Sequence, residues 1–187
     1  MLNLPNALTW LRILAVPLVV VLFYMPESWA DRAAGLLFAA AAITDAFDGY
    51  LARRMNLTSR LGAFLDPVAD KLIVAVALVL LVSKDTHLVV VLTAVVIIGR
   101  EIAISALREW MAEIGQRTRV AVSWIGKWKT IAQMVGLSMM LYRFDLFGLP
   151  IYDLGLALTV LSAALTLWSM VSYLRAAWPA LSDSAAS

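Results

Sequence analysis

An all-α bundle embedded in a membrane is the fold class this sequence predicts, and three observations predict it. Of the 187 residues, 63% are hydrophobic and 15% charged, outside the composition of a soluble globular domain. Mostly apolar stretches of about 20 residues, the length that crosses a hydrocarbon core, occur six times, separated by short polar connections. The basic residues also sort by side, as they do in polytopic proteins. Together they describe an integral membrane bundle of six transmembrane helices with both termini cytoplasmic. The chain reads as a single domain over 1–187, with a polar tail from about 179. No cysteine is present, which excludes disulfides, iron–sulfur clusters and thiolate metal sites.

The spans fall at about residues 6–24, 32–53, 61–83, 87–107, 121–142 and 152–174. "NLPN" supplies turn and capping residues for the first, which lacks a basic leader and a nearby small-residue cleavage site and so is expected to be retained. "YMPESWADR" separates spans one and two, "SKDT" spans three and four, and "RFDLFGLPIYD" spans five and six. Ala and Val richness suits helices that pack closely in lipid. With the N-terminus inside, twelve basic residues reach the cytoplasmic side (Arg12, Arg53, Arg54, Arg60, Lys71, Arg100, Arg108, Arg117, Arg119, Lys127, Lys129, Arg175). Three (Arg32, Lys84, Arg143) reach the other. Trp29, Trp110, Trp124 and Trp178 lie near span ends, as interfacial belts do. His87, the single histidine, falls on the far side as a connection residue.

Against this apolar background, "DAFDGYLARRMNLTSRLGAFLDPVAD" places four aspartates within residues 45–70. Asp45, Asp48, Gly49, Ala52 and Arg53 are spaced to share one helix face, and Gly62, Asp66 and Asp70 follow at steps of four on the next. Two antiparallel helices joined by a short turn pack side by side near it, so the two acidic stripes converge. Charges at membrane depth cost about 2.5–3.5 kcal/mol each at mid-span, and like charges repel, so four carboxylates need neutralising. Carboxylate oxygens without His or Cys select Mg²⁺, Mn²⁺ or Ca²⁺ over zinc. Four acids suffice for two ions in the manner of two-metal phosphoryl chemistry. Gly49, Ala52 and Gly62 leave room for a ligand or for helix packing, and Arg53 stands where it would hold a phosphate. Helix-end caps or a cation-transport site are the alternatives these residues leave open.

The pattern Asp45-x-x-Asp48-Gly49-x-x-Ala52-Arg53, eight residues, then Gly62-x-x-x-Asp66-x-x-x-Asp70 resembles the complete signature of the CDP-alcohol phosphotransferases. The resemblance implies a six-helix membrane domain, usually a homodimer, that transfers a phosphatidyl or related group from a CDP-linked donor to an alcohol and releases CMP. It further implies that Asp45, Asp48 and Asp66 bind two Mg²⁺ or Mn²⁺ ions, that Asp70 bridges a metal and acts as base, and that Gly49, Ala52, Arg53 and Gly62 line the CDP site. Asn6 and Thr9 are grouped with that site. Arg12, beside them, either touches donor phosphates or snorkels.

"NLPNALTWLRI" and "GREIAISALREWMAEIGQRTRVAVSWIGKWKTIAQM" resemble bacterial members of the family that join CDP-diacylglycerol to sn-glycerol 3-phosphate; relatives with inositol phosphate, serine or phosphatidylglycerol as acceptor share the core. Arg108, Arg117, Arg119, Lys127 and Lys129 gather between spans four and five on the side of the aspartates, where an acceptor phosphate would need them. Arg108, Arg119 and Lys127 stand first among them, and part of the cluster is explained by topology and anionic lipid alone. Arg100 and Glu101 are expected to pair within the bundle. The partners implied are the two substrates, membrane lipid and a second copy of the chain, with no nucleic acid. The place implied is the bacterial cytoplasmic (inner) membrane, with the active site facing the cytoplasm.

Overall fold

In the computed structural model the backbone is described for residues 4–55, 60–113 and 124–184, and side chains for 8–45, 62, 64–113, 128–171, 174 and 175. Within these the chain forms six helices: α1 Leu4–Tyr24, α2 Ser28–Met55, α3 Arg60–Lys84, α4 Leu88–Glu113, α5 Trp124–Tyr142 and α6 Ile151–Ser184. They coincide with the six apolar stretches. Most helix ends have visible local causes. Pro26 follows the end of α1, where the residue before a proline is driven out of the helical region. α2 opens on Ser28 with Asp31 in its first turn, a favourable charge at a helix N-terminus. Asp85 accepts the His87 amide at 3.0 Å, an Asx-type turn that leads into α4. α6 begins just after Pro150. It continues to Ser184, past the point where the sequence suggests a polar tail, because nothing from Leu174 onward except Pro179 opposes helix.

α5 ends at Tyr142, and Arg143 follows it with a φ of 64°, the left-handed cap conformation. The chain then turns through Phe147 and Gly148, both at positive φ. Leu146 and Leu149 exchange backbone bonds of 3.2 and 3.0 Å across them, a two-residue turn of the primed type.

Helix α5 packs most extensively on α6, and α1 on α2; α2 also meets α5, α1 meets α3, and α4 meets α6. Phe23, Phe38, Leu78, Ile97, Leu137, Met140 and Leu141 fill the centre. The outer face is apolar as well: Leu14, Val21, Leu36, Val95, Ile102 and Trp168 are all at least 60% exposed. Two described helices are long and apolar enough to cross a membrane, Leu88–Glu113 and Ile151–Val171, with Leu8–Tyr24 a shorter apolar stretch. α2 and α3 carry their charges at both ends and apolar residues between.

At the α5–α6 contact the backbones touch. A Cβ on Gly136 would stand 2.7 Å from the Gly155 carbonyl oxygen, and a Cβ on Gly155 would stand 2.7 Å from that of Gly136. Neither carbonyl can retreat without unwinding its helix, so only glycine allows this approach. The end of the bundle where α1 gives way to α2 is tied by Lys84, which donates to the Phe23 carbonyl at 2.6 Å and lies 3.4 Å from Asp31. Tyr152 donates to Asp85, and that bond holds the Asp85 carboxyl below its ordinary pKa. Replacing Gly136 with Val should lower stability by about 1–3 kcal/mol through overpacking, read as a fall in the unfolding midpoint in detergent. Gly99, where an added Cβ meets open space, should accept Ala with little change in that midpoint.

Candidate active site

Asp45 near the C-terminal end of α2 and Asp66 and Asp70 near the start of α3 come together at one end of the bundle. α1 brings the groups that hold them. Thr9 donates to Asp66 Oδ1 at 2.5 Å. Arg12 places a single guanidinium nitrogen, Nη1, 2.9 Å from Asp45 Oδ1 and 2.6 Å from Asp70 Oδ1. Arg12 is 2% exposed, so it does not snorkel; a buried guanidinium needs carboxylates around it, and its reach into the bundle is set by the helix crossing. Pro67, inside α3, lacks the N–H that the carbonyl of residue 63 would accept, which loosens the ladder beside Asp66.

The three aspartates line a cavity of about 330 Å³, together with Lys71 and Glu101 and with Lys129, Thr130 and Gln133 of α5. Lys129 and Gln133 are each 6% exposed and stand four residues apart, on one face of α5. The wall opposite is braced. Lys71 Nζ donates to Ser105 Oγ at 2.6 Å, tying α3 to α4. Arg100 pairs with Glu101 at 2.8 Å and reaches Ser169 Oγ of α6 at 3.3 Å.

Of the residues the sequence singles out, Asp45, Asp66, Asp70 and Lys129 thus share one cavity, and Thr9 touches it through Asp66. Gly62 is buried in α3 and Arg108 is exposed on α4. Asp48, Gly49, Ala52, Arg53, Asn6 and Lys127 lie on described helices with side chains outside the described residues; Arg117 and Arg119 lie outside them altogether. The sequence reading missed Arg12 as the bridge between the acids, and Gln133. The signal for Gln133 was its spacing from Lys129 in an otherwise apolar helix.

Among the described residues no group of three acids or histidines is placed to hold a metal ion; the fourth acid of the motif, Asp48, is not one of them. The donor set is nonetheless of the kind that takes hard divalent cations, all carboxylate oxygen. The position of Arg12 makes the same point physically, since the meeting point of Asp45 and Asp70 already draws in a positive charge. A cavity with acids on one wall and a buried lysine on the other can bind a polyanion through cations on the acid side and by direct contact with the lysine.

The family model described as CDP-alcohol phosphatidyltransferase matches residues 2–171. A protein of Shigella flexneri serotype 5b, called CDP-diacylglycerol–glycerol-3-phosphate 3-phosphatidyltransferase, is 52% identical over 181 residues, which is 97% of this chain and 98% of that protein. The protein of that name from Escherichia coli K12 is also 52% identical over the same shares. That from Salmonella choleraesuis is 54% identical over 175 residues, 94% of each chain.

Replacing Arg12 with Met should leave Asp45 and Asp70 facing each other without a cation. These carboxylates keep 35% and 39% exposure, so the cost should be about 1–3 kcal/mol, less than for a sealed pair. In chelator-containing buffer the unfolding midpoint should drop, and Mg²⁺ should restore part of it. No drop in chelator would remove Arg12 as the clamp.

Proposed function

Because the chain belongs to the CDP-alcohol phosphatidyltransferase family, we propose that it transfers the phosphatidyl group of CDP-diacylglycerol to sn-glycerol 3-phosphate, giving phosphatidylglycerophosphate and CMP. The observation that carries this reading is the single cavity in which Asp45, Asp66 and Asp70 face the buried Lys129. The printed names of the relatives support the choice of both substrates.

Asp45, Asp48, Asp66 and Asp70 would hold two divalent ions, Mg²⁺ or Mn²⁺. Bound there, such ions supply charge neutralisation for the pyrophosphate and its leaving group. Asn6, Gly49, Ala52, Arg53 and Gly62 take the CDP moiety. Thr9 and Arg12, already bonded to the acids, keep those carboxylates in register. Lys129 holds the acceptor phosphate, assisted from the cavity mouth by Arg108, Arg117, Arg119 and Lys127. Asp70 accepts the proton of the acceptor's 1-hydroxyl. That oxygen forms a bond to the β-phosphorus, the bond from this phosphorus to the bridging oxygen breaks, and CMP departs with the electron pair. One displacement suffices, with no covalent intermediate on the protein. Most of the acceleration comes from charge fixed in place and from positioning.

In this reading the six helices all cross the bacterial inner membrane, both termini and the acid cavity lie on the cytoplasmic side, and the chain works as a homodimer. The apolar outer face supports the lipid surroundings, and the twelve-to-three division of basic residues supports the orientation. The acyl chains then stay in lipid while the water-soluble acceptor arrives from the cytoplasm.

Incubating the purified protein with CDP-diacylglycerol, Mg²⁺ and a panel of alcohols should give one new lipid, formed from glycerol 3-phosphate with matching CMP release. A different acceptor used at higher kcat/KM would overturn the assignment. Asp66→Asn should reduce CMP release by on the order of 10³-fold while the protein still folds; wild-type activity would remove Asp66 from the site. Lys129→Ala should raise KM for glycerol 3-phosphate by about 10- to 100-fold and leave KM for the lipid donor within about twofold. An effect confined to the donor would contradict the acceptor role.

A further inference from the structure

Gln133 is a buried polar side chain to which the reaction just described gives no task. It is 6% exposed, it lines the cavity shared by Asp66, Asp70 and Lys129, and among the described residues its carboxamide has no hydrogen-bond partner. Its polar atoms are also not among those sealed inside protein, so the space they reach is the cavity. An unpartnered buried amide weakens a fold, whereas Leu or Met of similar length would pack on α5 at no such cost. A carboxamide kept there points to a ligand that completes its hydrogen bonds.

The chemistry of the cavity narrows which ligand group that is. Lys129 offers only donors, and the carboxylates, when ionised, only acceptors; a carboxamide offers both, as an alcohol does. Thr130, the other neutral polar residue on this wall, is exposed and already engaged. Gln133 stands one helical turn, about 6 Å, from Lys129. With the acceptor phosphate on Lys129 and the reacting 1-hydroxyl at Asp70, the group left between them is the hydroxyl on C2.

We infer that Gln133 binds the C2 hydroxyl of the glycerol phosphate acceptor and thereby selects a vicinal hydroxy phosphate over a simple hydroxyalkyl phosphate. This rests on the acceptor reading above. A site that hydrogen-bonds a substrate hydroxyl rejects the analogue lacking it, because the buried polar group is then left unpaired.

The test compares glycerol 3-phosphate with 3-hydroxypropyl phosphate, which lacks only that hydroxyl, using full-length protein, CDP-diacylglycerol and Mg²⁺. Wild-type protein should prefer glycerol 3-phosphate by at least about 100-fold in kcat/KM. Gln133→Met should bring the two acceptors within about threefold by lowering activity with glycerol 3-phosphate while leaving the deoxy acceptor near its wild-type rate. A purely structural glutamine would lower both acceptors alike, and that result, or an intact preference in the variant, overturns the inference. Equal use of both acceptors by wild-type protein overturns it too, without any variant needing to fold. Transfer to neither phosphate, with the phosphatidyl group passing to another alcohol as CMP is released, overturns the acceptor reading and this inference together.

Discussion

One guanidinium nitrogen shared by two carboxylates organises this end of the bundle. Asp45 and Asp70 belong to different helices and would repel each other; Arg12 from a third turns that repulsion into attraction by standing within 3 Å of both. Everything else at the site is placed relative to that junction. Thr9, one helical turn before Arg12, takes Asp66, and the cavity opens where α5 faces the three acids. The acids are thus held by α1 independently of any bound ion, which keeps their oxygens gathered and the carboxylates' mutual repulsion contained between turnovers.

The second wall depends on a different constraint. Where Gly136 and Gly155 let the backbones of α5 and α6 touch, α5 has little freedom to rotate. Lys129 and Gln133 lie on the stripe that leads to Gly136 along that helix, so the close contact that fixes the glycine also aims the lysine and the glutamine. Lys129 is buried on that face and lines the cavity.

These two constraints explain what the amino-acid order revealed and what it withheld. The six helices follow from apolar runs of fixed length with Pro, Ser and Asp at their ends, all local signals. The convergence of Asp45 with Asp66 and Asp70 follows from helical periodicity carried across one short turn. The role of Arg12 is not local: an arginine inside a first apolar helix reads equally as a snorkelling end or a ligand contact until the crossing of α1 over α2 and α3 sets its depth. That Lys129 is buried at the cavity was not legible for the same reason, since it needs the rotation of α5. Gln133 was passed over because its four-residue spacing from Lys129 gains meaning only once both side chains are known to be buried.

Asp45 and Asp70, two partners of Arg12 among the described residues, both lie downstream of it in the chain. Synthesis runs from the N-terminus, so a nascent α1 carries its positive charge before either of these acids has been made. The first helix therefore reaches its final state only after the third has emerged from the ribosome. A fragment ending before residue 45 contains the charge but neither of these two carboxylates, which makes α1 the first helix to be made and among the last to be settled.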